Sequence, residues 1–565
     1  MALDGTDSGG SAASGARRSV PKGAATPPGP PGDNPAGGRQ AAVATAGTAL
    51  SRLTGFLRLA AMAYALGVAE GGLADTYNIA NLTPNIVYEL VIGGVLSSVL
   101  LRVYIEVRNS EGQPEAFRFI SRLTTLVMLV LGAISVLGIF LAPAIFRLYT
   151  TLADASAVRD AAGAFLLRLF IPQLLFYGLS TISTAVLDAH RRFGVPKFAP
   201  VAQNLVVTAM LLLFAATVPE AARNLDDLRA DDLLLLGAGT TLGVALLGLT
   251  PWFWMRKLGY RFEAGGLRDP RFRRLARLSA WMFGYVATNQ IGLTVATVLA
   301  AKVTGGVTAY QYAFVFFQLP HGLLAVSIAT VTYTGLTESA VAGDTPAFAR
   351  KLGRAMRVIA FFVLPAIAGY IAIGRGIVKL LLQHGITTEV STNFIADILR
   401  AWSPGILFFS TWYIILRGFY ALGDTKTPML INLGAFALNV VAGVTLFFAF
   451  DDPVRKITGL ALAHAGSYAV ASAIGIAWMA RRVGRSVLKG YAPAVGKMIV
   501  ASAVTGGVAA GVFALVEGAF AGSGTGPQLA AVLGGTLAGL LIYALSAKLL
   551  RLEESQWITK IVARR

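Results

Sequence analysis

The stretch LLRLFIPQLLF, residues 166–176, recurs as ILRAWSPGILF at residues 398–408. Arg168, Pro172, Leu175 and Phe176 fall on Arg400, Pro404, Leu407 and Phe408 at a constant offset of 232. Pro196 lands on Pro428 at the same offset, and Pro84 pairs with Pro320 at a similar one. Collinear matches of this kind mark an internal duplication. The duplicated unit is hydrophobic throughout. Apolar runs of roughly 20 residues or more recur along the chain, the length a helix needs to cross a bilayer.

The bulk composition agrees. Of 565 residues, 55% are hydrophobic and only 14% charged, with a mean hydropathy of +0.65. A water-soluble chain cannot hide that much apolar surface. The runs are continuous rather than alternating, so the backbone satisfies itself in helices and not in a barrel. The expected fold is an all-α polytopic membrane protein with 14 transmembrane helices. Two parallel six-helix repeats, an N-lobe and a C-lobe, are followed by a C-terminal helix pair. The boundaries read as a disordered cytoplasmic tail at 1–40, N-lobe 41–255, C-lobe 256–485, the pair at 486–551 and a second tail at 552–565.

The formal charge is +19. Lysines and arginines concentrate in short loops between apolar runs, not on one soluble face, so the charge speaks for topology and not for nucleic acid. With the N-terminus inside, most of the Lys and Arg lie on the cytoplasmic side. An even number of spans then puts the C-terminus inside too. The first 40 residues, rich in Gly, Ala, Pro and Ser, cannot build a core. No cleavable signal peptide is read. The absence of cysteine excludes disulfides and thiolate chemistry. Four histidines, His190, His321, His384 and His464, show no metal-ligand spacing, and no Walker A loop is present. No enzyme is expected. A duplicated bundle of this kind is the architecture of an alternating-access transporter, with its site between the lobes near mid-membrane.

Two arginines stand where lipid tails should be: Arg52 and Arg58, in SRLTGFLRLAAMAYALG (51–67). A charge at the centre of a membrane helix costs about 2.5–3.5 kcal/mol on insertion scales, so such residues face a wet cavity or a partner. Ser51, Thr54, Gly55, Arg58 and Met62 share a small, polar helical face. Arg52 lies off it, free to line the same cavity or to pair with a carboxylate such as Asp75. The guanidinium fork suits phosphate, so a cationic cavity implies an anionic substrate. In the next span, Asp75 lies near the outer end and Pro84 can kink the helix. Asn81, Asn85 and Tyr88 lie on a common face suited to sugar or phosphate groups. Glu89 reads as a buried acid, an ion-pair partner or a gate. Each of these fits helix packing equally well. Further on, Gln290, Asn432 and Asn439 can line a cavity, hold a monovalent ion or equally form interhelical hydrogen bonds, and no carboxylate stands among them.

Six motifs carry a family resemblance: SRLTGFLR, ADTYNIANLTPN, LLRLFIP, FAPVAQN (198–204), LLQHGITT (381–388) and RGFYALGDTKTP (417–428). In this order they resemble the MurJ/MviN family, lipid II flippases of the MOP exporter superfamily, in its actinobacterial branch. The resemblance runs from about residue 41 to 550. It implies movement of an undecaprenyl-pyrophosphate-linked muropeptide from the inner to the outer leaflet of the cytoplasmic membrane, for peptidoglycan synthesis. It places the family's cavity serine, arginines and second-span acid on Ser51, Arg52, Arg58 and Asp75. It makes the last helix pair a groove for the lipid tail. Well-studied Gram-negative members carry Arg, Glu and Arg where this chain has Tyr88, Gly93 and Val315. Some actinobacterial relatives carry a pseudokinase-containing extension, which is not expected in a chain ending at Arg565. No cofactor is implied beyond coupling to a monovalent ion or the membrane potential. The implied partners are lipid II, membrane lipids and cell-wall synthesis proteins. Two other readings stay open: a different exporter of the superfamily, for drugs or other polyprenyl-linked glycans, and a non-transporting membrane scaffold.

Overall fold

Local signals start the helices where they begin. Asp269 and Asp452 each cap a first turn that opens on a proline, Pro270 and Pro453. Asp344 caps the helix that starts at Thr345, and Ser156 and Thr388 accept the amides of Arg159 and Ser391. Short polar side chains at these positions satisfy amides that the helix itself cannot. A computed structural model of the chain describes residues 35–90, 98–520 and 524–555.

Every regular element among the described residues is helical. The first half holds α1 (Pro35–Leu66), α2 (Leu73–Glu89), α3 (Ser98–Glu111), α4 (Gln113–Tyr149), α5 (Ala157–Phe170), α6 (Gln173–Ala189), α7 (Gly194–Thr217) and α8 (Ala230–Trp254). The second half holds α9 (Pro270–Ala300), α10 (Gly306–Pro320), α11 (Val326–Val341), α12 (Thr345–Leu382), α13 (Glu389–Trp402), α14 (Gly405–Ala421), α15 (Lys426–Ala449) and α16 (Pro453–Val483). Two helices follow, α17 (Tyr491–Ala519) and α18 (Thr525–Leu549). Among the described residues, ten stretches are long and apolar enough to cross a membrane, or eleven if the pair bent by 112° around residues 67–69 counts as one. The chain is therefore a multi-pass membrane protein. α1 already begins at Pro35, inside the segment expected as a disordered tail; residues 1–34 lie outside the described residues.

The two duplicated motifs mark two matching breaks. α5 ends at Phe170 and α6 restarts after Pro172; α13 ends at Trp402 and α14 restarts after Pro404. Arg168 and Arg400 occupy the last turns before the two breaks. Proline removes a donor and clashes with the turn before it, so both spans break at the same place. Packing recurs as well. α1 lies on α7, α7 on α8, α6 on α8 and α2 on α5; likewise α9 lies on α15, α15 on α16, α14 on α16 and α10 on α13. α17 and α18 pack on each other and both on α12.

The outer flanks are apolar. Val136, Leu137 and Phe140 of α4 and Leu537, Leu540 and Leu541 of α18 are exposed, the surface that lipid covers. Polar contacts cross between the halves at Asp75–Thr308 and Glu70–Thr388, and the candidate site lies in this region.

Candidate functional site

α1 carries both arginines. Arg58 is half-buried and Arg52 exposed. Among the described residues neither makes an ion pair or hydrogen bond. Arg58 stands within electrostatic reach of three tyrosine hydroxyls, on Tyr77, Tyr177 and Tyr312. Tyr77 shares a 2.6 Å hydrogen bond with Thr240, while the buried Tyr312 hydroxyl has no hydrogen-bond partner among the described residues. Uncompensated guanidinium groups inside a membrane bundle are open to an anion.

The common face read on α2 is real for Asn85 and Tyr88. Both meet Tyr177: its hydroxyl donates to Asn85 Oδ1 at 3.0 Å, and its ring stacks on Tyr88 with centroids 4.1 Å apart. Tyr88 is thus one half of a stacked aromatic pair. Val315 is partly exposed on α10. Gly93 lies outside the described residues.

One expectation is corrected, and two open readings gain partners. Glu89 is exposed at the last residue of α2, not buried. Asp75 does not pair with Arg52; its carboxylate is taken by α10. Oδ1 accepts the Thr308 amide at 2.8 Å and the Thr308 hydroxyl at 2.6 Å. The small face around Ser51 is a helix contact: Asn204 of α7 donates to the Ser51 carbonyl at 3.1 Å and the Thr54 hydroxyl at 3.2 Å. A methyl on Gly55 would stand 3.4 Å from the same amide, so small residues here let α7 approach.

Sequence reasoning missed Glu70, in the turn between α1 and α2. Its carboxylate accepts the amides of Val68 and Ala69 from its own turn. From the second half it accepts the Thr388 amide at 2.9 Å and the Thr388 and Ser391 hydroxyls at 2.7 Å each. Beside it, the Thr387 hydroxyl donates to the Ala63 carbonyl at 2.7 Å. Thus two acids of the first half, Asp75 and Glu70, sit on the N-termini of two helices of the second, α10 and α13. Each supplies negative charge to a positive helix end and partners to amides that lack them. The available signal was an acid in the turn VAEGG (68–72), whose Gly71 and Gly72 have positive φ.

Asn289, Gln290, Asn432 and Asn439 come together on one cavity of about 270 Å³ inside the second half, walled by Tyr310, Phe314, Trp402, Phe409, His464 and Tyr468. Asn432 donates to Asn289 at 3.4 Å, and Trp402 donates to His464 Nδ1 at 3.0 Å. No charged side chain lines it.

The most specific motif, RGFYALGDTKTP, forms a turn rather than a ligand site. Asp424 accepts the Thr427 amide at 3.0 Å and its hydroxyl at 2.8 Å, opening α15, and binds Arg482 of α16.

A helical bundle with recurring packing, apolar flanks and unpaired cations between its halves defines a membrane transporter, and its fold is that of the MOP superfamily. The fold matches a structure of "Lipid II flippase MurJ, inward closed conformation" with a TM-score of 0.71 and 21% identity, covering 90% of this chain and 99% of that one. An inward-facing multidrug MATE transporter of the MOP superfamily matches at 0.60 and 11%, covering 78% and 96%. Within that class the chain belongs to the MurJ family: the family model for lipid II flippase MurJ matches residues 62–525. A probable lipid II flippase MurJ of Thermotoga maritima is 26% identical over 525 residues, 91% of this chain and 97% of the relative. The lipid II flippase MurJ of Burkholderia cenocepacia is 26% identical over 399 residues, 69% and 75% of the two chains.

Proposed function

We propose that this protein flips lipid II from the inner to the outer leaflet of the cytoplasmic membrane by alternating access. The observation that carries this reading is the pair of arginines on α1 without a counter-ion, in a chain of the lipid II flippase family. Arg58, helped by Arg52, binds the pyrophosphate. Asn85 and Tyr88 contact the headgroup beside them. Glu89, exposed at the end of α2, steers the headgroup or an ion, and Ser51 supports α1 through α7. Asp75, with Glu70, latches one end of the bundle shut.

The recurring helix contacts support two six-helix repeats within a 14-span bundle. The lysine and arginine distribution supports cytoplasmic termini, which puts the Asp75 and Glu70 contacts at the outer end. Closure there leaves the cavity to be loaded from inside. α17 and α18, packed on α12 with exposed leucines, suit the prenyl tail. The neutral amide oxygens of Gln290, Asn432 and Asn439 suit a monovalent cation better than a divalent one. Lipid II and the surrounding membrane lipids are the partners, with cell-wall synthesis proteins as neighbours.

The test is translocation of labelled lipid II in proteoliposomes, run against other lipid-linked sugars and a cationic drug. Lipid II should be flipped faster than either, and Arg58→Ala should abolish the difference. Equal rates for all three would make the chain a general exporter. Full function with alanine at both arginines would make it a scaffold.

A further inference from the structure

The helix pair α10–α11 is joined by a π-turn, His321–Ala325, directly after Pro320. Such turns widen the helix locally and concentrate at functional sites. This one is held on α14. His321 Nδ1 is 3.0 Å from the Ser410 hydroxyl, and its ring packs on Phe409 and Tyr413 with centroids 4.5 and 5.3 Å away. The next residue is Gly322. Its φ is not positive, so the backbone does not require glycine. Glycine inside a helix costs about 1 kcal/mol relative to alanine. What its absence of side chain provides is space, and Arg52 fills that space. A methyl group on Gly322 would overlap Arg52 Nη1 and lie 3.0 Å from Cζ and 3.1 Å from Nη2, its three nearest atoms.

We propose that Gly322 is a positioning residue for Arg52. The guanidinium carried by the first half is seated on bare backbone of the second, and His321 fixes the turn that offers the seat. The inference rests on the reading that Arg52 meets the pyrophosphate. A Cβ at residue 322 displaces the cation without removing it, and forked pairing with phosphate depends on its position.

The test is a double-mutant cycle on the full-length purified protein: wild type, Gly322→Ala, Arg52→Ala and both together. The readouts are affinity for fluorescent lipid II and melting temperature. Gly322→Ala should weaken binding by about three- to tenfold with Arg52 present and leave it unchanged with Arg52→Ala. An equal loss in both backgrounds, or none in either, overturns the seat. If Gly322→Ala alone fails to fold, Arg52→Ala should restore it by clearing the overlap; a double variant that also fails to fold overturns the proposal. If Arg52→Ala binds lipid II as tightly as wild type, the pyrophosphate reading of Arg52 fails, and the seat's role in binding falls with it. A seat that fails while Arg52→Ala still costs affinity leaves that reading standing.

Discussion

Asp75 of α2 and Thr308 of α10 are joined twice, amide and hydroxyl both donating to one carboxylate oxygen, with Asn78 donating to the same hydroxyl at 3.0 Å. All three side chains are buried, between 0 and 8% exposed. The contact crosses the two halves of the molecule, so a change in their relative position must break it. A hydrogen bond to a charged group contributes about 1.5–3 kcal/mol, and removing one partner strands the other.

Asp75→Asn keeps the shape but removes the charge from the N-terminus of α10. It should lower the melting temperature by a few degrees and reduce lipid II translocation severalfold, with Asp75→Ala worse in both. Thermal unfolding in detergent and a proteoliposome assay give the two numbers. Unchanged melting in both variants would show that the contact holds nothing together.

Glu70→Ala removes the acceptor of three donors from Thr388 and Ser391. The halves should then part more often at that end. The chain has no cysteine, so a single Ala69→Cys reports it. Maleimide labelling of that thiol should rise severalfold in the Glu70→Ala background and stay near the parent rate with a control substitution on the lipid face of α4, such as Phe140→Ala.

Arg58→Ala should fail to support growth of a flippase-depleted strain and should lose at least tenfold in lipid II translocation. Arg58→Lys should fall between, because it keeps the charge and loses the fork. Growth of the alanine variant at the wild-type rate would remove Arg58 from the site.

Asp424 lies in the loop before α15. Burial pushes its carboxyl up, but the bonds from Thr427 and Arg482 outweigh this and hold it below the ordinary value of 3.8. A lowered pKa means that the contact stabilises the fold above the ordinary aspartate range and is lost as pH falls through the lowered value. Asp424→Asn should therefore melt earlier than wild type at pH 7, and the gap should close as the pH drops below that range. A gap independent of pH would mean that the charge is not what the turn uses.

The helices, their breaks and their family were legible because each rests on local chemistry. Apolar length sets a membrane helix, and the repeated Pro172 and Pro404 mark matching breaks. Arg52 and Arg58 were legible for the same reason, since charge in an apolar run is conspicuous whatever surrounds it. Partners were not. The polar face of α1 read as cavity lining, yet Asn204, some 150 residues away, covers Ser51 and Thr54. Asp75 read as a cavity acid or an arginine's partner, and its carboxylate binds Thr308. Glu70 and Gly322 drew no reading from the sequence. Hydrogen bonds and steric seats are satisfied across distances in space that the order of residues does not encode. The sequence therefore determined that the chain is an apolar, multi-pass helical bundle and where it carries charge. Only the tertiary structure decided which acids join the two halves and which arginine lies against the opposite half.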